Sequence, residues 1–235
     1  MHHSIRSISF VIPSIQVSAL VLALAGPFQT VSAAIYDAAA DFSLVSNPNP
    51  NGVWSEGGAA TLGGLFQAFD KPTANYNNLS LSAWEISNLL GSPLFLKNVG
   101  ATPLFGLLPG RVALHPGGLE YAILRFTAPE DGFAQITAQF FAGDSGNTNA
   151  AIVLNGNGAF PLFSVASTTS NPSYLDQIAL SAGDTLDFAV GLGGDGFTAD
   201  TTPLNVAINF VPEPTTLALV LGSLAIVSSR RRKSA

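Results

Sequence analysis

Two acidic, amide-rich segments, DSGNTN at 144–149 and DGFTAD at 195–200, carry the side chains best suited to binding an ion. The candidate ligands are Asp144, Asn147, Asp195 and Asp200. Ca²⁺ binds carboxylate and amide oxygens of this kind, about six to eight at a time. Gly146 stands at the third position of the first segment, which departs from the D-x-[DN]-x-[DN]-G calcium loop. Because Asp and Asn also form Asx turns, the sequence predicts no defined metal site and keeps calcium as the alternative.

Three aromatic residues are candidates for contact with a sugar or for the core. Trp54 follows the Asn- and Pro-rich segment SNPNPNG, and Tyr76 lies in the polar segment TANYNN. An exposed aromatic ring stacks on the apolar face of a sugar, whereas a buried ring packs in the core. We therefore take Trp54 and Tyr76 as candidate glycan-stacking residues. Trp84 lies in the middle of the strand-like segment LSAWEIS, and we predict that it packs in the core.

The chain has no cysteine, and His115 is the sole histidine outside the first three residues. The lack of cysteine excludes thiol catalysis, zinc–cysteine sites and iron–sulfur sites. A lone histidine cannot build a multi-histidine metal site. His115 precedes a Pro-Gly-Gly turn, so we expect it to make a structural polar contact, with a pairing to Glu120 as one option.

The sequence carries no recognisable catalytic motif. It has no G-x-S-x-G, no H-E-x-x-H and no P-loop. The glycine-rich GLGGDG at 191–196 lies between predicted strands, with no helix N-terminus to offer a phosphate. Two facing carboxylates would define a glycosidase, but the sequence alone does not single out a pair. We predict a protein that is not an enzyme and has no cofactor.

The charge of the middle of the chain is strongly negative. Between Asp37 and Asp200 there are four Lys and Arg residues against fourteen Asp and Glu residues. A phosphate backbone requires a basic stripe on the protein surface, and this region offers none. Nucleic acid is therefore excluded as an expected partner.

Alternating apolar and polar residues predict an all-β domain over 35–210. In FAQITAQFFAG, at 133–143, every second residue is apolar, and LNVAINFV at 204–211 shows the same pattern. EDG at 130–132 and NGNG at 155–158 supply the chemistry of tight turns. Nine or ten strands with a turn about every 8–12 residues predict a single antiparallel β-sandwich that is jelly-roll-like.

Residues 1–34 read as a signal peptide. Arg6 precedes an apolar stretch from about Ile8 to Ala25, and small residues follow a Gly-Pro break. Signal peptidase requires small side chains at the −3 and −1 positions before the cut, so we place the cut after Ala33 or Ala34. The alternative is an N-terminal membrane anchor.

The last segment, 211–235, ends in a short apolar run and a basic cluster. The 15 residues Thr215–Ser229 would form a helix of about 22 Å, and they are fewer than the ~20 residues that a stable membrane span prefers. The cations that follow are Arg230, Arg231, Arg232 and Lys233. They would stay in the cytoplasm and leave the β domain outside. Pro212 and Pro214 prevent the helix from extending backwards, so Val211–Pro214 is expected to be extended.

Pro212, Glu213 and Pro214, then a short apolar helix, then Arg230–Lys233, closely resemble the PEP-CTERM sorting signal. The resemblance covers about 25 residues, and the order, the spacing and the basic end agree together. It implies recognition by an exosortase, a membrane enzyme of Gram-negative bacteria that processes the tail near the motif. Such proteins accompany exopolysaccharide and biofilm matrix genes. The phrases NPNGVWS, AGDTLDFAVG and ADTTPLNVAI also look like the exported β domains that precede such tails.

Together these patterns predict an exported protein that is briefly anchored in the inner membrane and then reaches the cell surface or the extracellular matrix. Its expected partners are signal peptidase, an exosortase and exopolysaccharide. The favoured function is non-catalytic glycan binding. A purely structural or adhesive protein without a ligand pocket, and an enzyme acting on polysaccharide, are the alternatives.

Overall fold

The structure is a computed structural model that describes residues 32–87 and 93–213, and the statements below refer to that part of the chain. Most of the predicted signal peptide, at 1–31, and most of the predicted sorting segment, at 214–235, lie outside the described residues. Over the described ranges, no helix has the length and apolar character needed to cross a membrane.

The described residues form fourteen strands and one short 3₁₀ turn at Tyr76–Asn78. The strands are β1 Ala34–Asp37, β2 Trp54–Ala59, β3 Gln67–Ala68, β4 Lys71–Thr73, β5 Leu81–Glu85, β6 Leu94–Asn98, β7 Val112–His115, β8 Tyr121–Thr127, β9 Gly132–Phe140, β10 Asn149–Leu154, β11 Phe163–Val165, β12 Ser173–Leu180, β13 Thr185–Gly191 and β14 Thr202–Pro212.

The strands form two antiparallel sheets. The larger sheet has the order β12-β9-β14-β7-β6-β5-β4, and β1 also pairs with β14. β1 and β7 therefore lie end to end along one side of β14, while β9 covers the other side. The smaller sheet has the order β11-β10-β13-β8-β2-β3. All pairings within both sheets are antiparallel, which confirms the predicted all-β class.

The inner faces of the two sheets share one core, so the domain is a β-sandwich. Phe126 and Phe188 of the smaller sheet and Phe140 and Phe210 of the larger sheet are all fully buried. The rings of Phe126 and Phe210 meet across the core at 6.4 Å between centroids. Full burial of such a side chain is worth roughly 1.5–3 kcal/mol, and these rings therefore bind the sheets together.

The strands with the clearest alternation fold as predicted. In β9, Ala134, Ile136, Ala138 and Phe140 are buried, whereas the residues between them are exposed or half-buried. In β14, Leu204, Val206, Ile208 and Phe210 form the buried face in the same way. One face of each strand meets the core and the other meets water, which is the condition that produces alternation.

β2 was not predicted, and its burial explains why. All six residues of WSEGGA are buried, so the strand shows no polar face. Phe66 covers its outer side: a Cβ at Gly57 would lie 2.4 Å from the Phe66 ring. The strand therefore needs glycine where a sequence pattern would look for an apolar residue.

The segment Pro129–Gly132 does not close a hairpin. It joins β8 and β9, which belong to different sheets, and the neighbours of β9 are β12 and β14. The turn residues were thus identified correctly, but the chain uses the turn to cross from one sheet to the other.

Both predicted processing regions adjoin strands at their described ends. Ala33 precedes β1, and Ala34 is its first residue, opposite Phe210. At the other end, β14 continues through Pro212, and the Glu213 amide donates to the Asp131 carbonyl at 2.9 Å. Val211–Glu213 is therefore extended, as predicted, and Pro214 lies outside the described residues.

Candidate functional site

The prediction that Trp54 stacks on a glycan is wrong. Its side chain is 1% exposed and packs edge-to-face against Phe126, with 5.3 Å between ring centroids. Its indole Nε1 donates to Asp41 Oδ2 at 3.1 Å, so its polar atom is satisfied inside the fold. Trp54 opens β2 on the inner face of its sheet, and the polar loop before it does not bring it to the surface.

Trp84 and Tyr76 have different surroundings. Trp84 is 4% exposed and donates through Nε1 to the Ser43 carbonyl at 2.8 Å, which confirms its predicted place in the core. Tyr76 is half-buried and packs against a smaller apolar cluster that includes Leu81 and Leu107. Burial raises the pKa of the Tyr76 hydroxyl. Its role in glycan stacking stays a prediction.

His115 makes the structural polar contact that was expected. Its Nδ1 donates to the Pro116 carbonyl at 2.8 Å, since a carbonyl oxygen only accepts. Burial lowers the pKa of the imidazole. The predicted option of a pairing with Glu120 is not among its contacts within the described chain.

The two acidic segments singled out in the sequence meet in space. The Asp144 amide donates to the Thr201 carbonyl at 3.1 Å, and the Gly146 amide donates to the Ala199 carbonyl at 2.9 Å. The Asn147 amide donates to Asp195 Oδ2 at 3.0 Å. The loop between β9 and β10 is thus fastened to the loop between β13 and β14.

Asp200 is the buried member of this cluster. It is 1% exposed, and neither of its carboxylate oxygens has a hydrogen-bond partner among the described residues. Burial, with further contributions from the charges of Asp195 and Asp144, raises its pKa to about 6. No group of three or more His, Cys, Asp or Glu side chains within 32–87 and 93–213 is spaced to share one metal ion.

A cleft of about 350 Å³ opens beside these loops. Strand ends form its wall: Tyr121 begins β8, Asn149 begins β10 and Gly191 ends β13. The lining residues are Leu119, Glu120, Tyr121, Asn149, Ala166, Gly191, Leu192, Gly193 and Gly194. The Gly193 carbonyl accepts a hydrogen bond from Asn147 Nδ2 at 3.5 Å, which links the rim of the cleft to the acidic segment 144–149.

Gly191 makes room for the side chains of Tyr121 and Asn149 in the wall of the cleft. A Cβ at this position would lie 2.6 Å from Cε1 of the Tyr121 ring and 2.5 Å from Asn149 Oδ1. The ring and the amide therefore both rest against bare backbone. Asn149 Oδ1 is buried, and no described residue donates a hydrogen bond to it. Leaving a buried acceptor unpaired costs about 1–3 kcal/mol, so this close packing has an energetic cost.

The outer rim of the cleft is apolar and acidic. Leu119 is 82% exposed, and Phe197 packs over Gly118, 3.6 Å from where a Cβ would stand. Glu120 is half-buried, and its Oε2 accepts from the Leu119 amide at 3.2 Å. These residues were not predicted as a site. The glycine-rich phrases HPGG and GLGGDG were the available signals, because glycines allow this close approach.

No protein-family profile and no curated protein matches the chain. Among solved structures, the carbohydrate-binding module CBM51 of a Clostridium perfringens GH95 protein, in complex with methyl-galactose, is 10% identical, with a TM-score of 0.30. The alignment covers 76% of this chain and 92% of that one.

A family 35 carbohydrate-binding module from Clostridium thermocellum is 16% identical, with a TM-score of 0.26 and coverages of 57% and 89%. GITRL of the pika is 14% identical, with a TM-score of 0.26 and coverages of 39% and 79%. At these values the likeness carries no information about function.

Proposed function

We propose that this protein is an exported, non-catalytic glycan-binding module and that the glycan binds in the cleft beside Tyr121. The observation that carries this proposal is the composition of the cleft wall. An aromatic residue, a carboxylate residue and an amide residue line one concave surface, at Tyr121, Glu120 and Asn149.

Two of these groups match parts of a sugar. A pyranose ring has an apolar face that stacks on an aromatic ring, and Tyr121 offers one. Sugar hydroxyls donate to carboxylates, and Glu120 supplies one at the cleft wall. The rim at Gly193 and Gly194 has no side chains that would keep a polymer away from the wall. Mostly apolar walls with a few convergent polar groups are typical of ligand sites.

Binding is favoured over catalysis by the number of acids in the cleft. Glycoside hydrolysis uses two carboxylates, roughly 5–10 Å apart across the scissile bond. Glu120 is the one carboxylate among the cleft-lining residues of the described chain. We therefore propose binding without hydrolysis, and the polysaccharide-active enzyme stays the weaker alternative.

Replacing Tyr121 with alanine is expected to weaken glycan binding at least tenfold, because the stacking surface is removed while the strand pairing is kept. Binding is measured first on an array of bacterial exopolysaccharides and plant glycans, and then by titration calorimetry with the best ligand. Tyr76→Ala is the matched control, since it removes a half-buried tyrosine outside the cleft.

Two results would contradict this proposal. Absence of binding to every polymer would favour the structural or adhesive protein without a ligand pocket. Loss of binding in Tyr76→Ala but not in Tyr121→Ala would move the site to the region that the sequence first indicated.

We further propose the connectivity and the route of this domain. Strands β7–β14 have the order β7-β14-β9-β12 in one sheet and β8-β13-β10-β11 in the other, and this order supports the predicted jelly-roll.

The Pro212–Pro214 motif begins where β14 ends, which supports a tail that lies outside the fold. Its removal by an exosortase at the inner membrane would leave every described strand intact and release the domain to the cell surface or matrix.

The mature protein at the surface of a Gram-negative host with an exosortase is expected to lack Thr215–Ala235 and the first 33 or 34 residues. Intact-mass spectrometry of the surface fraction measures both cuts. A Glu213→Ala variant tests the motif, and we expect it to keep its tail in the inner membrane. A complete tail on surface-localised wild-type protein would contradict processing.

A further inference from the structure

We propose that the junction of the two acidic loops binds one Ca²⁺ ion, with Asp200 as its buried ligand. The proposal concerns the segments 144–147 and 195–200 and is independent of the glycan. It begins from a buried carboxylate that the described fold leaves without any hydrogen-bond donor.

The two loops bring two carboxylates to adjacent points of the backbone. Asp200 Oδ1 lies against Gly146, where a Cβ would stand only 2.0 Å from it. Asp195 Oδ2 accepts from the amide of the next residue, Asn147. Asp144 precedes them on the same loop, half-buried. The absence of a side chain at Gly146 is therefore what admits the Asp200 carboxylate.

No lysine or arginine of the described residues compensates this charge. The ion pairs in that part of the chain are Lys71–Glu85 and Arg125–Asp187, and neither involves Asp200. A buried carboxylate without a partner must bind a cation or hold a proton. The position of Asp195 and Asp144 beside it favours the cation, because one divalent ion offsets several carboxylates at once, whereas a proton neutralises only one.

The donor types select calcium. The ligands are oxygens, and Zn²⁺ prefers histidine and thiolate. Mg²⁺ requires a regular octahedron and keeps most of its water. Since no three acidic side chains of the described part share one centre, Asp200 and Asp195 must be supplemented by carbonyl oxygens and water. Ca²⁺ accepts such an irregular set. In this arrangement Asp144 does not bind the ion directly, and its negative charge adds to the attraction for Ca²⁺.

Thermal unfolding of the purified full chain, first in EDTA and then in increasing CaCl₂, tests the site. At a 100-fold excess of Ca²⁺ over its Kd, the Tm is expected to rise by about 5–10 °C. Asp200→Asn keeps the shape of the side chain and removes its charge. We expect this variant to be at least as stable as the wild type in EDTA and to lose the calcium-dependent shift.

Asp176→Asn, on an exposed position of β12, is the matched control and should keep the full shift. If Asp200→Asn does not fold, Asp195→Asn and titration calorimetry with CaCl₂ on the wild type replace it, with one ion per chain expected. The proposal is overturned by a wild-type Tm that does not respond to CaCl₂, by an undiminished shift in Asp200→Asn, or by an equal shift with MgCl₂. A non-responding wild type with a stabilised Asp200→Asn would identify Asp200 as a buried, protonated acid.

Discussion

Glu56→Gln is expected to stabilise the protein by about 3 kcal/mol at pH 8 and to leave its stability at pH 4 nearly unchanged. Glu56 points into the core from β2, is 1% exposed, and its Oε2 has no hydrogen-bond partner within the described chain. Burial raises its pKa from 4.5 to about 7. Glutamine has the same shape and no charge at any pH.

The direction of the effect follows from which state holds the proton more tightly. Below pH 4.5 both the folded and the unfolded chain carry a protonated Glu56, so the acid costs nothing. Between pH 4.5 and about 7 the unfolded chain releases its proton first, and stability falls by about 1.4 kcal/mol per pH unit. Above pH 7 the folded state must carry the buried charge, and the penalty is complete.

Urea unfolding of the wild type and Glu56→Gln from pH 4 to pH 8 measures this difference. Subtracting the two curves removes the contributions of Asp200 and His115, whose pKa values are also shifted by burial. Glu130→Gln, at an exposed position between β8 and β9, is the control and should keep the wild-type pH dependence. A difference between wild type and Glu56→Gln that does not vary with pH would contradict the prediction.

Arg125→Met is expected to cost about 3–5 kcal/mol, because it leaves Asp187 buried without its counter-charge. Arg125 and Asp187 face each other on neighbouring strands β8 and β13 and form two hydrogen bonds, at 2.6 and 2.8 Å. The Asp187 side chain is 3% exposed. The guanidinium also lies 4.0 Å from the centre of the Phe66 ring, which covers the pair.

Lys71→Met is the matched control. Lys71 pairs with Glu85 at 3.0 Å, but its side chain is 52% exposed, and the loss of such a surface pair costs about 1 kcal/mol or less. The double variant Arg125→Met/Asp187→Leu should recover most of the lost stability, since no charge is then left buried. The urea midpoints of the two single variants and the double variant, at constant m-value, measure the loss in free energy of unfolding. Equal losses for Arg125→Met and Lys71→Met would contradict this prediction.

The sequence predicted the parts of this fold that obey a local rule. β9 and β14 alternate because one side of each meets water, and Asn155-Gly156 takes positive φ in the loop after β10, where a turn was expected. The order of strands within the sheets is set by pairings between distant segments, such as β13 with β8. No local pattern records these pairings.

In the candidate site, too, local patterns were predicted and contacts between distant segments were not. Both acidic segments stood out by composition, but their meeting depends on hydrogen bonds such as Asn147 to Asp195, 48 residues apart. Tyr121 was not singled out from the sequence, because its value as a stacking surface depends on Gly191 beside it. Trp54 misled for the opposite reason, since a polar loop led into a fully buried position.

The two ends of the long strand β14 lie beside different parts of the domain. Asp200 and the acidic loops lie just before its first residue, Thr202, while its last residue, Pro212, lies where β1 begins at Ala34. Eleven residues of extended chain span about 35 Å. The described ends of the domain, at Ala34 and Pro212, therefore lie at the end of β14 away from Asp200 and the acidic loops. The cleft beside those loops is thus separated from both described ends by the length of β14.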